Sequence, residues 1–423
     1  MFTLILSILV DVFGFTMVMP LLPSLVKSLG ASDFLYGLII SSNAIALLIF
    51  GPLWGKLSDK YGRKPILMIS QAGTGVAFLI LAFSNSLNVI LIGRIVDGIF
   101  SGQFPIIRAY ISDISTPQTR STQMSKIMVG YTSGMIIGPL LGGILGTFGW
   151  AYPMLFASGL SIISIILTSQ VLVESMPKGR RKDLEIKQQL KSQNNDDTQS
   201  IWSKEVGIRF TQVLLHSFIS MIFNSSLSLI LFKRYGASPI IIGTMMSVTG
   251  IVLFIYGLFL MRRLIRKVGE KKIFFVCISA YIILFLIYPY LFEIWMVYVF
   301  LIAYALCMAS VYPLILSNIT KAVGPEKQGA ISGWTTNIQG ISQTISPLIS
   351  TGFLEIGNLA IGLFLLSYQL IGLVIMILAI ALLIVAYIDV KKHPRLYAYE
   401  KIRKKRVEVE KRRKRAKKDL ETK

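Results

Sequence analysis

The sequence predicts an all-α membrane protein of twelve transmembrane helices in two homologous six-helix bundles, and three observations predict it. The 423 residues are 54% hydrophobic and only 15% charged, with mean hydropathy +0.67, a balance no water-soluble domain needs. Apolar runs long enough to cross a hydrocarbon layer at about 1.5 Å rise per residue fall near 2–22, 34–54, 65–84, 87–108, 123–146, 150–172, 208–231, 239–261, 273–291, 294–317, 329–353 and 359–388. The chain also repeats itself once, at an offset of 206 to 208 residues. Gly30-Ala-Ser-Asp-Phe-Leu-Tyr-Gly37 returns as Gly236-Ala-Ser-Pro-Ile-Ile-Ile-Gly243, and Gly62-Arg-Lys-Pro-Ile returns as Gly269-Glu-Lys-Lys-Ile. Thr116-Pro-Gln-Thr-Arg is matched by Gly324-Pro-Glu-Lys-Gln, and Pro139 by Pro347. A duplicated, membrane-embedded half points to a pathway between two similar bundles.

The first run has no basic segment before it and no small-residue cleavage site, and it carries Asp11, Gly14, Pro20 and Pro23, so it reads as helix 1 and not as a removable signal. Basic residues follow the even-numbered crossings: Lys56, Lys60, Arg63 and Lys64 after helix 2, Arg120 and Lys126 after helix 4, Lys178 to Lys182 after helix 6, Arg262 to Lys267 after helix 8, and Lys321 and Lys327 after helix 10. The opposite loops hold little beyond Lys27, Lys233 and Arg234. The positive-inside rule then puts both termini in the cytoplasm of a plasma-membrane protein. The division that follows is a bundle over 1–173, a polar linker over 174–207, a second bundle over 208–390 and a basic tail over 391–423. The linker's mixed charges and its polar stretch at 191–200 argue against a folded domain there.

A net charge of +22 invites a nucleic-acid reading, but much of it sits in the tail, where basic clusters are interrupted by Glu400, Glu408 and Glu410. Such a tail suits anionic lipid headgroups, and no nucleic-acid partner is expected. Cys277 and Cys307 lie within apolar runs with no imidazole or thiol nearby in sequence, so they read as packed small side chains and not as metal ligands. No stretch has the spacing of a phosphate-cradling loop. The expectation is a monomer that is not an enzyme, uses no cofactor and draws its energy from an ion gradient.

The link between helices 2 and 3 reads Gly55-Lys-Leu-Ser-Asp59-Lys60-Tyr-Gly62-Arg63-Lys64-Pro65. Gly55 permits close helix approach, Asp59 can meet the positive end of another helix, Gly62 makes a tight turn, and Arg63 can grip an acid with several donors. Asp113, closing helix 4, is the candidate acid. This stretch resembles the signature loop of the major facilitator superfamily. The resemblance implies that Gly55, Asp59, Arg63 and Asp113 form a conformational latch at the cytoplasmic face, with Asp59 facing the start of helix 11 near Gly329 when the carrier is open to the outside. The second repeat departs from the pattern, with Arg262 and Arg266 where Gly55 and Asp59 would align.

Helix 5 carries Gly130, Gly134, Gly138 and Gly142 at four-residue steps with Pro139 inserted, which allows tight helix contact and favours a bend. It resembles the motif of the superfamily's drug/proton antiporters. Helix 1, from Leu9 to Pro23, and helix 4, from Gly93 to Asp113, are similar to the tetracycline/proton antiporters, so the likeness covers most of the N-terminal half. Asp97, Gln103 and Arg108 stand where that subgroup has small or apolar residues, so its substrate does not carry over.

Arg94, Asp97, Ser101, Pro105 and Arg108 follow steps of three and four and predict one face of helix 4, lining water or the bundle interior. A charged group at the centre of a bilayer costs roughly 2.5 to 3.5 kcal/mol by insertion scales, and Arg94 and Asp97, one turn apart, can relieve one another. Asp11 lies about 15 Å of helix from the first residue. The scarcity of acids in the crossings makes Asp11, Asp97 and Arg94 the candidates for proton exchange, with a static buried pair as the alternative for Arg94 and Asp97 and a structural hydrogen-bonding role as the alternative for Asp11. Helices 1, 4, 7 and 10 surround the cavity in the resembled family, beside 2, 5, 8 and 11. Phe15, Asn43, Tyr131, Asn224, Gln339 and Gln343 are therefore candidates for contact with a small-molecule substrate, each with packing or interhelical hydrogen bonding as its alternative; Arg108 is a further candidate, with snorkelling to the surface or joining the Asp113 cluster as its alternative. His216 reads as too near the start of helix 7 to be a leading proton carrier. The leading function is export of a hydrophobic or amphipathic compound in exchange for protons; an importer or uniporter of a small metabolite, anions included, and a membrane receptor or scaffold stand behind it.

Overall fold

The computed structural model describes residues 1–116, 119–177, 179, 204–323, 328–356 and 367–394. The central linker from 180 to 203, the tail from 395 and the start of the twelfth apolar run lie outside the described residues. In hydrocarbon every backbone N–H and C=O must find a partner within the chain, and long helices achieve this segment by segment. The described residues form α1 (Phe2–Val18), α2 (Leu22–Ser28), α3 (Asp33–Tyr61), α4 (Arg63–Ala82), α5 (Leu87–Phe100), α6 (Gln103–Ile114), α7 (Arg120–Gly146) and α8 (Ala151–Val171). They continue with α9 (Lys204–Tyr235), α10 (Pro239–Ile255), α11 (Met261–Val268), α12 (Glu270–Ile287), α13 (Ile294–Ala322), α14 (Gln328–Glu355) and α15 (Ser367–Lys392). Among the described residues ten helical stretches are long and apolar enough to cross a membrane, and α1 with α2, bent by 46°, makes an eleventh. Helix α14 is 28 residues long but rich in Ser, Thr, Asn and Gln, and stands outside that set. No strand occurs among the described residues. The protein is an all-α, multi-spanning membrane protein.

Two sequence expectations are corrected. The signature stretch is not a loop: α3 runs to Tyr61 and α4 starts at Arg63, leaving Gly62 as the whole connection at φ +106°. Gly55 and Asp59 therefore occupy the last two turns of α3. The fourth crossing is not one continuous helix either, because it breaks at Ser101 and Gly102 between α5 and α6. Side chains capture the carbonyls that would carry the ladder through. Trp54 Nε1 donates to Ile99 O at 2.5 Å, Ser70 Oγ to Phe100 O at 2.5 Å and Ser101 Oγ to Asp97 O at 2.8 Å. The Trp54 ring fills the space where a Cβ on Gly102 would lie, 2.5 Å from its Cγ. The stripe from Arg94 to Arg108 is thus split into two parts that need not share a face.

The repeat is written in the backbone. Gly30 and Gly236 have φ +77° and +59°, and Gly62 and Gly269 have φ +106° and +93°, values that L side chains rarely adopt. Each pair turns the chain at equivalent places of the two repeats.

Within residues 1–171, α1 packs on α7 and α8, α4 on α5 and α8, and α3 on α5; within 204–392, α9 packs on α13, α14 and α15, and α12 on α13 and α15. Two helix pairs, α7 with α10 and α3 with α14, make the main seam between these sets. The seam exchanges equivalent residues. A Cβ on Gly243 would lie 2.2 Å from Pro139 O, and one on Gly37 would lie 2.8 Å from Pro347 O and 1.9 Å from Thr351 Oγ1. Each repeat's glycine thus meets the other repeat's proline carbonyl. Gly143 against Pro239 and Ile240, and Ser247 Oγ donating to Ile136 O at 2.6 Å, extend the α7–α10 contact. These contacts gather toward the end of the molecule that carries Asp33. Toward the other end, which carries Arg63, a Cβ on Gly55, Gly257, Gly329 or Gly333 would meet nothing within 4 Å. The contacts that join the two sets of helices gather at the Asp33 end.

Candidate functional site

Arg94 and Asp97 are sealed in. Their side chains are 0% and 3% exposed, Arg94 Nη1 donates to Asp97 Oδ2 at 3.1 Å, and Asn43 Nδ2 from α3 donates to the same oxygen at 2.9 Å and to Arg94 O at 3.3 Å. The guanidinium carbon lies 5.6 Å from the Phe15 ring centroid, a cation–π contact from α1. Arg94 Nε and Nη2 are buried without a hydrogen-bond partner. Asn43, expected to meet a substrate, is itself buried and spends its amide on this pair.

Asp11 is largely but not wholly buried. It accepts from Gln103 Nε2 at 3.3 Å, and Gln103 Oε1 accepts in turn from Ser7 Oγ at 2.8 Å. Gln71 Nε2 reaches Ser7, Ser164 and Thr168 at 2.9, 3.0 and 3.1 Å. A polar thread therefore runs from Asp11 through α6, α1, α4 and α8. Gln103 sits at the first residue of α6, so the break in the fourth crossing is what aims it at Asp11.

Around Asp11 the half-exposed side chains come from both repeats. Phe104 and Tyr131 have ring centroids 6.1 Å apart, and Arg108, exposed, lies with its guanidinium carbon 5.9 Å from the Phe104 ring. Tyr131 is within electrostatic reach of both Asp11 and Tyr312 of α13. Tyr312 stacks on His216 with centroids 5.8 Å apart and has Gln339 of α14 beside it. Asn224 donates to Ser220 O at 2.7 Å and approaches Tyr304 OH at 3.4 Å. Gln343 is half-buried on α14. The structure thus brings Asp11, Phe104, Arg108, Tyr131, Tyr312 and Gln339 into one central region, with Phe15 linking it to Arg94.

At the Arg63 end, Arg63 Nη2 pairs with Asp59 at 2.5 Å, Arg63 Nε with Asp113 Oδ2 at 3.0 Å, and Arg63 Nη1 donates to Ser58 Oγ at 2.5 Å. Asp59 keeps 45% of its side chain exposed and makes this pair within its own repeat, while Gly329 faces open space. Glu174 accepts from the N–H groups of Arg63 and Lys64 at 2.9 and 3.1 Å, closing the N-terminus of α4. The four glycines at four-residue steps in helix 5 (α7) face α1: Cβ atoms on Gly130, Gly134, Gly138 and Gly142 would strike Ile5, Val12, Thr16 and Met17. Pro139 is the exception, contributing its carbonyl to the seam.

Sequence reasoning missed a second buried pair. Arg209 of α9 and Asp389 of α15 are both 0% exposed, with Nη2 to Oδ1 at 3.0 Å, and Gln212 Nε2 and His393 Nδ1 also reach Asp389 at 3.2 and 2.9 Å. Its signal was an acid directly after the apolar run that ends at Ile388. No group of three or more His, Cys, Asp or Glu residues suited to a metal occurs among the described residues.

Comparison with known proteins places these features in a family. The chain is 27% identical over 353 residues to a tetracycline resistance protein, class H, of Pasteurella multocida, covering 82% of this chain and 86% of that protein. It is 24% identical over 344 residues to multidrug resistance protein 2 of Bacillus subtilis (strain 168), covering 81% and 86%. Among solved structures, a bacterial homologue of the human lysosomal transporter Spinster, inward-facing and occupied, matches with TM-score 0.74 at 13% identity, covering 94% of this chain and 97% of that one. The human organic anion transporter MFSD10 (TETRAN) matches with TM-score 0.64 at 20% identity, covering 91% and 98%. The family model described as Major Facilitator Superfamily matches residues 4–347 and 209–419. Duplicated turns, a glycine–proline seam and that match give one conclusion: the chain belongs to the Major Facilitator Superfamily, a family of transporters of small molecules and not of enzymes.

Proposed function

We propose that the protein is a proton-coupled exporter of a hydrophobic or amphipathic small molecule, working by alternating access between two six-helix bundles of a twelve-span carrier. In this reading the bundles cover 1–173 and 208–390, the Arg63 end faces the cytoplasm together with both termini, and the basic tail over 391–423 lies on anionic headgroups of the plasma membrane. The distribution of lysine and arginine supports that orientation. The protein acts as a monomer.

The observation that carries the reading is the incompletely buried Asp11, hydrogen-bonded to Gln103 and neighboured by the aromatic and polar side chains of both repeats. A carboxyl group that is not fully enclosed can take up and release a proton, and its charge then weights one arrangement of the bundles over the other. Asp97, held by Arg94 and Asn43, exchanges its proton only when that pair is disturbed by substrate or by movement of α5. Phe15, Tyr131 and Phe104 offer an apolar face to the cargo, and Asn224, Gln339 and Gln343 offer adaptable polar contacts, while Asn43 acts through Asp97. Gly55, Asp59, Arg63 and Asp113 form the latch that closes the cytoplasmic end, and Gly130, Gly134, Gly138, Pro139 and Gly142 keep α7 close to α1 as the bundles rock. Relatives described as tetracycline and multidrug resistance proteins support the exporter class.

Reconstituted vesicles with opposite pH gradients and a panel of amphipathic compounds test the proposal. Wild-type protein should move cargo against an imposed proton gradient, and Asp11→Asn should abolish gradient-driven flux while leaving binding and folding intact. Undiminished pumping by both Asp11→Asn and Asp97→Asn would refute proton coupling through these acids. A second reading, uniport or import of an anionic metabolite, is favoured by the exposed Arg108 guanidinium beside Phe104. It predicts flux indifferent to the pH gradient and lost in Arg108→Ala.

A further inference from the structure

At the joined end of the molecule, two lysines from equivalent places in the two repeats converge on one acid. Lys27 lies three residues before Gly30, and Lys233 three residues before its counterpart Gly236. Lys27 Nζ is 2.5 Å from Asp33 Oδ1, and Lys233 Nζ is 2.5 Å from Asp33 Oδ2. The repeat places Pro239 where Asp33 stands, so the acid exists in the first copy only. Asp33 is 3% exposed although it begins α3, while Lys233 keeps 43% of its side chain in contact with the surroundings. A second carboxylate reaches the same turn from the other repeat: Glu355, the last residue of α14, accepts from Asp33 N at 2.5 Å and Phe34 N at 3.2 Å. The N-terminus of α3, whose first N–H groups have no partner within the helix and whose dipole end is positive, is a favourable place for that charge.

We propose that Asp33, Lys233 and Glu355 are positioning residues for transport, forming an asymmetric clasp that holds this mouth shut and is undone in every cycle. The proposal rests on the alternating-access reading above. Lys233 bridges from the end of α9 and Glu355 from the end of α14, so both contacts cross the seam and stretch as soon as α3 leaves α14. Lys27 belongs to the same repeat as Asp33. Its Nζ also donates to Ala31 O at 2.9 Å, so it fixes the carboxylate's aim without joining the halves. Solvent contact at Lys233 keeps the clasp reversible, because water can replace the carboxylate as the ammonium departs.

Spin labels at the exposed positions Ser28 and Ser238, in a full-length protein carrying Cys277→Ser and Cys307→Ser, measure the width of the mouth in lipid without cargo or gradient. Asp33→Asn and Lys233→Ala should each raise the long-distance population by roughly two- to fivefold, the range for an ion pair with one exposed member. Glu355→Gln should act in the same direction, and Lys27→Ala should shift the distribution less than Lys233→Ala. Unchanged distance distributions in monodisperse, thermally stable Asp33→Asn and Lys233→Ala proteins would overturn the clasp. An equal shift in Lys27→Ala would overturn it too, since overall charge at the mouth would then set the equilibrium. The readout is independent of flux: shifted distances with no transport in wild type would leave the clasp standing and remove the transport reading.

Discussion

Arg94 and Arg209 are each wholly enclosed, and each is answered by a single acid, Asp97 three residues on and Asp389 on the last helix. Removing one member of such a pair leaves an uncompensated charge, which costs about 3–5 kcal/mol. Asp389→Asn should therefore lower the thermal midpoint in detergent far more than Asp59→Asn, because the Asp59 side chain is 45% exposed and Arg63 keeps Asp113 as a second acid. Asp97→Leu alone should destabilise likewise, while Arg94→Met with Asp97→Leu recovers much of the loss; stability restored without restored pumping would separate packing from proton exchange. Arg94 and Asp97 were legible because charged residues in mid-run stand out against lipid. Arg209 and Asp389 were not, because a charge at the end of an apolar run looks like a headgroup contact, and their pairing spans 180 positions.

The fourth crossing carries the lesson at the level of elements. Its apolar run announced a helix from 87 to 108, but the break at Ser101 and Gly102 depends on Trp54 and Ser70, which belong to other helices and leave no mark in the local pattern. Trp54→Phe keeps the ring and loses the Nε1 donor to Ile99 O, so α5 and α6 should realign and Gln103 turn from Asp11, read as a loss of proton-driven flux with little change in expression. The seam glycines give a sharper test. Gly243→Ala would set a methyl 2.2 Å from the Pro139 carbonyl, so α7 and α10 must separate, whereas Gly257→Ala meets nothing within 4 Å. Labelling of a cysteine introduced at the buried seam position Ser247, with Cys277 and Cys307 replaced by serine, should accelerate several-fold in the first variant and stay at its starting rate in the second.

At the scale of the whole molecule, the duplication seen in the sequence reappears as paired left-handed glycines and as the exchanged glycine–proline contacts. Which end is joined was not legible, because a repeat specifies two similar surfaces and not which of their ends meet. That outcome depends on residues the repeats do not share, Asp33 against Pro239 among them. The Arg209–Asp389 tie has a mechanical corollary. It fastens α15 to α9, with His393 adding a bond between the final turn and both Asp389 and Glu205. The last helix is then a passenger on the seventh crossing, and dyes on the exposed Lys56 and Lys391 would report the swing of one half past the other, their energy transfer rising as the gap at the Arg63 end narrows.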